Sequence, residues 1–167
     1  VVTAWAQVEN QYQRRMDLIP NLVSTVKGAA NFEQETLTKV IEARASASKT
    51  NIDVKDAEQF AEFQANQGRI SSALSRLMVV VEKYPDLKAV QQFSDLRVQL
   101  EGTENRISTE RGRYNEVAQG YNTYVRQFPN NIWASVYKFD KANLFEATEG
   151  AEDAPVVDFS GDEKSSE

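Results

Sequence analysis

Apolar residues recur along most of the chain in alternating steps of three and four residues, the spacing that places them on one face of an α-helix. The first series predicts one helix over about residues 3–47, roughly 70 Å long at 1.5 Å per residue. Pro20 removes a backbone hydrogen bond within it, so we expect a kink there. Asn31 followed by Gln34, shortly after Gly28, leaves open a second helical segment beginning at that point.

Two further long helices have the same spacing. One covers about residues 54–84 and ends at Pro85, and the other covers about residues 90–127 and ends at Pro129. A short helix is expected over about residues 132–138. The predicted fold class is all-α: an elongated antiparallel helical bundle of three long helices plus a short fourth, resembling a four-helix bundle. We assign residues 1–149 to this bundle and residues 150–167 to an acidic, mostly disordered tail.

Composition removes several classes of function. The 167 residues include no histidine and no cysteine, which excludes disulfides, thiolate or imidazole metal sites and nucleophile–imidazole pairs. The net charge is −6, and residues 146–167 hold eight acidic side chains against Lys164, so the rest of the chain is close to neutral. Without a basic face, nucleic-acid binding is not expected. No apolar run is long enough to cross a bilayer.

Several polar residues interrupt the apolar stripes. Arg15 takes a position that leucine would normally fill, and Glu104 and Arg111 lie on or beside the stripe of the third long helix. A buried charge needs a partner, so we expect Arg15 or Arg111 to pair with Glu104. The complete candidate polar network is Arg15, Asn21, Glu104, Arg111, Asn115 and Asn122. We interpret it as a layer that fixes helix register; the alternative is a ligand or partner site.

No motif supplies a catalytic, cofactor-binding or metal-binding set. The carboxylates of the predicted helices include no Glu-x-x-His pair, which is part of the usual di-metal bundle site, and no EF-hand spacing occurs. We therefore predict no cofactor and no enzymatic activity. Arg14 and Asp17 lie on the polar side of the first helix and form a candidate interaction face.

The chain resembles the LemA family of bacterial proteins between about Trp5 and Phe159. The resemblance is carried by WAQVENQYQRRMDLIPNLVSTVKGAANFE at 5–33, VIEARA at 40–45, VVVEKYPDLKA at 79–89, LEGTENRI at 100–107 and RYNEVAQGYNTYVRQFPNNI at 113–132. It implies a helical bundle held to a bacterial membrane by one N-terminal hydrophobic segment, with no established biochemical activity. The chain opens at Val1 already in helical rhythm, and we expect that this anchor belongs upstream of it.

Together these features favour a non-catalytic, membrane-tethered scaffold or interaction module of the bacterial cell envelope. Its partner would be another protein or the lipid bilayer, and self-assembly into homo-oligomers is a further possibility. The alternative is a small-ligand-binding or carboxylate-based enzymatic bundle that uses Glu104, Arg111 and Tyr114. Nothing in the sequence assigns the side of the membrane.

Overall fold

The computed structural model describes residues 1–48 and 51–146, and these residues form helices with no β-strand among them. The helices are α1 (Val2–Lys27), α2 (Gln34–Ser46), α3 (Ala57–Val81), α4 (Pro85–Lys88), α5 (Gln91–Arg126) and α6 (Asn130–Val136). The all-α class is therefore confirmed. The predicted boundaries of the two later long helices lie within a few residues of α3 and α5, whereas the prediction for the first helix was wrong.

Aromatic contacts and one ion pair define how the long helices run. Trp5, near the start of α1, packs against Phe63 near the start of α3 and against Tyr114 in the second half of α5. Farther along α1, Arg15 bonds to Ser71, which follows Phe63 on α3. Arg15 also meets Glu104, which precedes Tyr114 on α5. Consequently α1 and α3 run parallel and α5 runs antiparallel to both. Pro85 begins the single-turn helix α4, and only residues 82–84 separate it from the end of α3. The connection from α3 to α5 is therefore short.

The predicted helix over residues 3–47 is two helices separated by a turn at residues 28–33. Asn31 has a φ of 61°, a left-handed conformation that interrupts the helical path. The turn is also held from outside, because Phe32 packs 4.8 Å from the ring of Tyr84 and the Tyr84 hydroxyl donates to the Asn31 carbonyl at 3.0 Å. The cap of α2 is Glu33, not Asn31. A tertiary contact thus decides the break.

Pro20 lies inside α1, and the helix continues through it. A proline has no N–H, so the carbonyl four residues earlier, that of Met16, loses its usual partner. Arg44 of α2 replaces that partner by donating its Nε–H to the Met16 carbonyl at 3.2 Å. The proline therefore creates an acceptor that links α1 to the helix that follows it.

The core has two apolar clusters. An aromatic cluster occupies the end at which α1 begins and consists of Trp5, Val8, Tyr12, Phe60, Phe63, Ile107, Tyr114, Ala118, Ala142 and Phe145. An aliphatic cluster fills the rest of the bundle and draws mainly on residues 16–47 of α1 and α2, 70–87 of α3 and α4, and 93–100 of α5. Burial of both clusters supplies the main driving force for folding.

The C-terminal part of the described chain lies along α5. The short helix was predicted over residues 132–138, and α6 spans Asn130–Val136 with no buried residue. Of the apolar residues after it, Phe145 is buried, whereas Phe139 is half exposed. The predicted boundary at residue 149 and the predicted disordered tail over 150–167 lie outside the described residues.

Arg44→Met should lower the free energy of unfolding by about 1.5–3 kcal/mol, the usual range for a hydrogen bond to a charged donor. The loss should shrink to a few tenths in a Pro20→Ala background, since alanine restores the intrahelical partner of the Met16 carbonyl. Urea unfolding of the four variants measures the coupling. Arg106→Met, at an exposed arginine of α5, is the control; equal losses with and without Pro20 would contradict the link.

Candidate functional site

A polar layer separates the two apolar clusters. It consists of Arg15 on α1, Gln67 and Ser71 on α3, and Glu104 on α5. Each of these residues lies three or four residues from a buried apolar residue on the same helix, so its side chain can reach the interior of the bundle. The layer therefore crosses the bundle at one level, with aromatic side chains on one side and mainly aliphatic ones on the other.

The Arg15 guanidinium is the centre of this layer, and its exposed fraction is 1%. Its Nη1 donates to Ser71 Oγ at 2.7 Å and to Glu104 Oε1 at 2.9 Å. Its Nη2 donates to Gln67 Oε1 at 2.7 Å and to the Gln67 carbonyl at 3.0 Å. The Tyr12 ring lies 5.3 Å from the guanidinium carbon, at cation–π distance. One side chain thus connects three helices.

A cleft opens beside the layer. It has a volume of about 190 Å³ and is lined by Arg15, Gln67 and Glu104 together with Arg111. Within the described residues, Arg15 Nε and Gln67 Nε2 are buried without a hydrogen-bond partner. Ligand pockets usually measure roughly 300–1,000 Å³, and a water occupies about 30 Å³. A few waters that complete these bonds fit the space better than a metabolite does.

The predicted polar network divides into three groups in the structure. Arg15 and Glu104 meet directly, as described above. Arg111, Asn115 and Asn122 instead bond to the backbone of residues 142–146. Asn21 was wrongly placed in the network: it lies exposed on α1 because its position is one residue off the buried stripe that holds Leu22. Its backbone carbonyl accepts a bond from Thr25.

The predicted interaction face on α1 is exposed. Arg14 and Asp17 both lie on the solvent side of the helix, and the Asp17 carboxylate accepts a bond from Gln13 Nε2 at 2.9 Å. These residues are accessible, and whether a partner uses them stays a prediction. Among the described residues, no three carboxylates cluster closely enough to hold a metal ion.

Burial changes the acidity of two tyrosines near the layer. Desolvation raises the pKa of Tyr12, and it raises the pKa of Tyr114 to about 12. Each phenol therefore stays protonated over a wider pH range than a free one. The Tyr114 hydroxyl uses its proton to donate to the Asn143 carbonyl at 2.8 Å, so both phenols behave as fixed structural groups at neutral pH.

Sequence reasoning did not include Gln67 and Ser71 in the network. A signal for Gln67 existed, because it occupies a place in the otherwise apolar stripe of α3, three residues before Ile70. Ser71 left no comparable signal, since a serine beside a stripe is common on helix surfaces.

A family model matches this chain over residues 4–159 with the description LemA family. The match covers most of the chain, and the chain belongs to the LemA family. It aligns with protein LemA of Metamycoplasma hominis at 24% identity over 149 residues, which are 89% of this chain and 65% of that protein. Members of this family are not known as enzymes.

Magnetosome proteins are also similar to this chain. Magnetosome protein MamQ 2 of Paramagnetospirillum magneticum is 36% identical over 90 residues, and MamQ of Magnetospirillum gryphiswaldense is 29% identical over 90. Each alignment covers 54% of this chain and 33% of the relative, so the chain spans about a third of their length. Family and relatives indicate a membrane-associated protein without an established biochemical role. No helix within the described ranges is both long and apolar enough to cross a membrane.

Arg15→Ala should lower the free energy of unfolding by about 3–5 kcal/mol, because it leaves the partly buried Glu104 and the buried Gln67 without their partner. Arg14→Ala is a matched control: the neighbouring arginine is exposed, and its loss should change stability by less than about 0.5 kcal/mol. Thermal and urea unfolding measure both. If the two variants melt alike, the layer does not stabilise the bundle.

Proposed function

We propose that this protein is a non-catalytic, membrane-tethered interaction module of the bacterial cell envelope. The observation that carries the proposal is an exposed apolar surface at one end of the bundle, which we call the aromatic end. It consists of Tyr124, Phe128, Ile132, Trp133, Val136, Tyr137 and Phe139. Exposed large apolar residues that cluster at one place mark interaction surfaces, whereas single exposed apolar residues are common on any protein.

Three rings of the aromatic end form one continuous series. Trp133 and Tyr137 stack with ring centroids 6.3 Å apart, and Phe139 lies 6.3 Å from Tyr137. The exposed fractions of Trp133 and Tyr137 are 60% and 64%. Large rings with a polar edge suit the boundary between lipid headgroups and acyl chains. We therefore propose the bilayer interface as the surface that this end meets.

The position of the aromatic end supports a membrane contact. Val1 and Ala4 pack on the aromatic cluster together with Tyr121, so α1 begins at the end of the bundle where α5 leads into α6. An anchor joined to the start of α1 would hold this same end against the bilayer. The bundle would then project from the membrane and present its sides, including Arg14 and Asp17, to envelope proteins.

A small-ligand role is the second candidate, and the cleft beside Arg15 is the observation that favours it. The cleft brings Glu104 and Arg111 to one wall but leaves out Tyr114, the third residue predicted for such a site. Four bonds already occupy the Arg15 terminal nitrogens. These bonded terminal nitrogens and the cleft volume of about 190 Å³ favour the interaction module. Within the part of the chain that the structure describes, the observations that favour a ligand are the unpartnered Arg15 Nε and Gln67 Nε2 and a wider groove of about 790 Å³ beside Glu104 and Arg111.

Vesicles of phosphatidylcholine and phosphatidylglycerol test the membrane contact. The 167-residue chain should co-sediment with them, and Trp133 emission should shift to shorter wavelength, since Trp5 is only 7% exposed. Trp133→Ser with Tyr137→Ser should weaken binding by about tenfold or more, because each buried aromatic contributes about 1.5–3 kcal/mol.

The control pair is Val79→Ser with Val98→Ser, at residues 67% and 65% exposed on α3 and α5. These changes remove exposed apolar surface away from the aromatic end and should leave vesicle binding unchanged. Equal binding by both double variants, or no binding by the wild-type chain, would refute the proposed contact.

A further inference from the structure

One face of α5 holds the chain's own residues 140–146 by their backbone. Five side chains at helical spacing form this face, which we call the clamp: Arg111, Tyr114, Asn115, Tyr121 and Asn122. They make seven hydrogen bonds, and every one ends on a main-chain atom of the segment. A helix that binds an adjacent segment by packing alone would not need such a set.

The two asparagines are the strongest part of the clamp. Asn115 donates to the Phe145 carbonyl at 3.0 Å and accepts from the Phe145 amide at 2.8 Å. Asn122 does the same for Ala142, with both distances 2.9 Å. A side-chain amide paired in this way imitates a neighbouring β-strand, which fixes an extended backbone without reading its side chains.

The remaining clamp residues bond to further carbonyls of the segment. The Tyr121 hydroxyl donates to the Asp140 carbonyl at 3.0 Å, the Tyr114 hydroxyl to the Asn143 carbonyl at 2.8 Å, and Arg111 Nη2 to the Glu146 carbonyl at 3.0 Å. The clamp therefore follows the backbone from the first residue of the segment to the last.

Two apolar side chains of the segment enter the bundle, and the Asn143 side chain between them bonds to the loop before α3. Ala142 and Phe145 are 4% and 5% exposed and belong to the aromatic cluster. The Arg111 guanidinium covers the Phe145 ring at 4.7 Å. Leu144, between them, is 41% exposed. Asn143 donates from Nδ2 and from its backbone amide to the Val54 carbonyl at 2.8 and 2.9 Å. The site thus accepts a small residue, a side chain that can donate a hydrogen bond, one unselected residue and a phenylalanine.

We propose that the clamp is a peptide-binding site for extended segments of another protein with the pattern small-Asn-x-Phe, and that residues 140–146 are its internal ligand. Main-chain recognition makes the site tolerant of sequence outside the positions of Ala142, Asn143 and Phe145. An internal segment competes at an effective concentration of the order of millimolar, so an external peptide binds only when the internal one is weakened or displaced.

The connection to the internal ligand permits displacement. From residue 124 to residue 141 no residue is buried, so the path between α5 and the segment adds no core packing of its own. Release of the segment would, however, empty the Phe145 socket in the aromatic cluster. A ligand must therefore bring an aromatic side chain of its own, which explains the phenylalanine at the end of the pattern.

The test uses the full chain and the capped peptide acetyl-DKANLFE-amide, which reproduces residues 140–146. Phe145→Ala in the chain weakens the internal ligand, and this variant should bind the labelled peptide in a saturable manner. The wild-type chain should bind it about 100-fold more weakly because of internal competition. Phe145→Leu is a milder variant that keeps the core filled, and it should give the same order of affinities if Phe145→Ala fails to fold.

Peptides changed only in their backbone separate this site from non-specific apolar binding. N-methylation of the residue equivalent to Phe145 removes the hydrogen that Asn115 accepts, and affinity should fall by about tenfold or more. N-methylation at the position of Leu144, whose amide lies outside the seven clamp bonds, is the matched control and should change affinity much less.

Three results would overturn the proposal. The first is no saturable binding to either folded Phe145 variant, and the second is equal affinity of the two N-methylated peptides. The third is a concentration-dependent dimer of the wild-type chain that excess peptide dissociates, since this would assign the clamp to a second copy of the chain instead of a separate partner. Fluorescence anisotropy and light scattering provide these readouts.

Discussion

The structure depends on how it accommodates one buried positive charge. The Arg15 guanidinium is almost fully removed from water, which would be prohibitive unless nearly every donor found an acceptor. Acceptors come from two residues of α3 and one of α5. These acceptors reach the Arg15 donors only in one axial register of the helices. The buried charge therefore selects this register over others in which the helices are shifted along their axes.

The same requirement for satisfied polar groups recurs elsewhere. Pro20 frees a carbonyl of α1, and Arg44 of α2 bonds it. Beside the aromatic cluster, Asn115 and Asn122 each bond the backbone N–H and carbonyl of one residue in a segment without helical hydrogen bonds. Apolar burial drives the collapse, while these polar bonds decide which surfaces meet and where each helix stops.

Much of this fold follows from periodicity alone. The stripes of α3 and α5 and the prolines after them predicted both helices closely, because each boundary depends on local chemistry. A break after Lys27 was an open alternative to one long helix, because Asn31 and Gln34 offer a second helix start. The sequence could not decide between the two, since the docking of Phe32 on Tyr84 joins residues far apart in sequence. Charges on facing stripes predicted that Glu104 pairs with Arg15 or Arg111, and the structure has Arg15. Ser71 belongs to the layer only because of the relative rotation of α3, which the sequence does not show.

The asparagines of α5 show a different limit. Their polar character near a stripe was visible, and it suggested a layer shared with Arg15. Their partners, however, are backbone atoms of a segment with no regular pattern. Periodicity in the sequence cannot predict such contacts. The bundle therefore has two polar systems on α5: one at Glu104 that orders the helices, and one from Arg111 to Asn122 that binds an extended chain.

A double-mutant cycle between Arg15→Met and Gln67→Leu tests the central claim most directly, namely that the guanidinium couples α1 to α3. Urea unfolding should show a coupling free energy of about 1–3 kcal/mol, because the double variant removes both members of the Arg15–Gln67 pair and so leaves neither of these two side chains buried without its partner. Losses that add to within about 0.5 kcal/mol would mean that the two residues act independently, and the polar layer would then not be what fixes the register of the bundle.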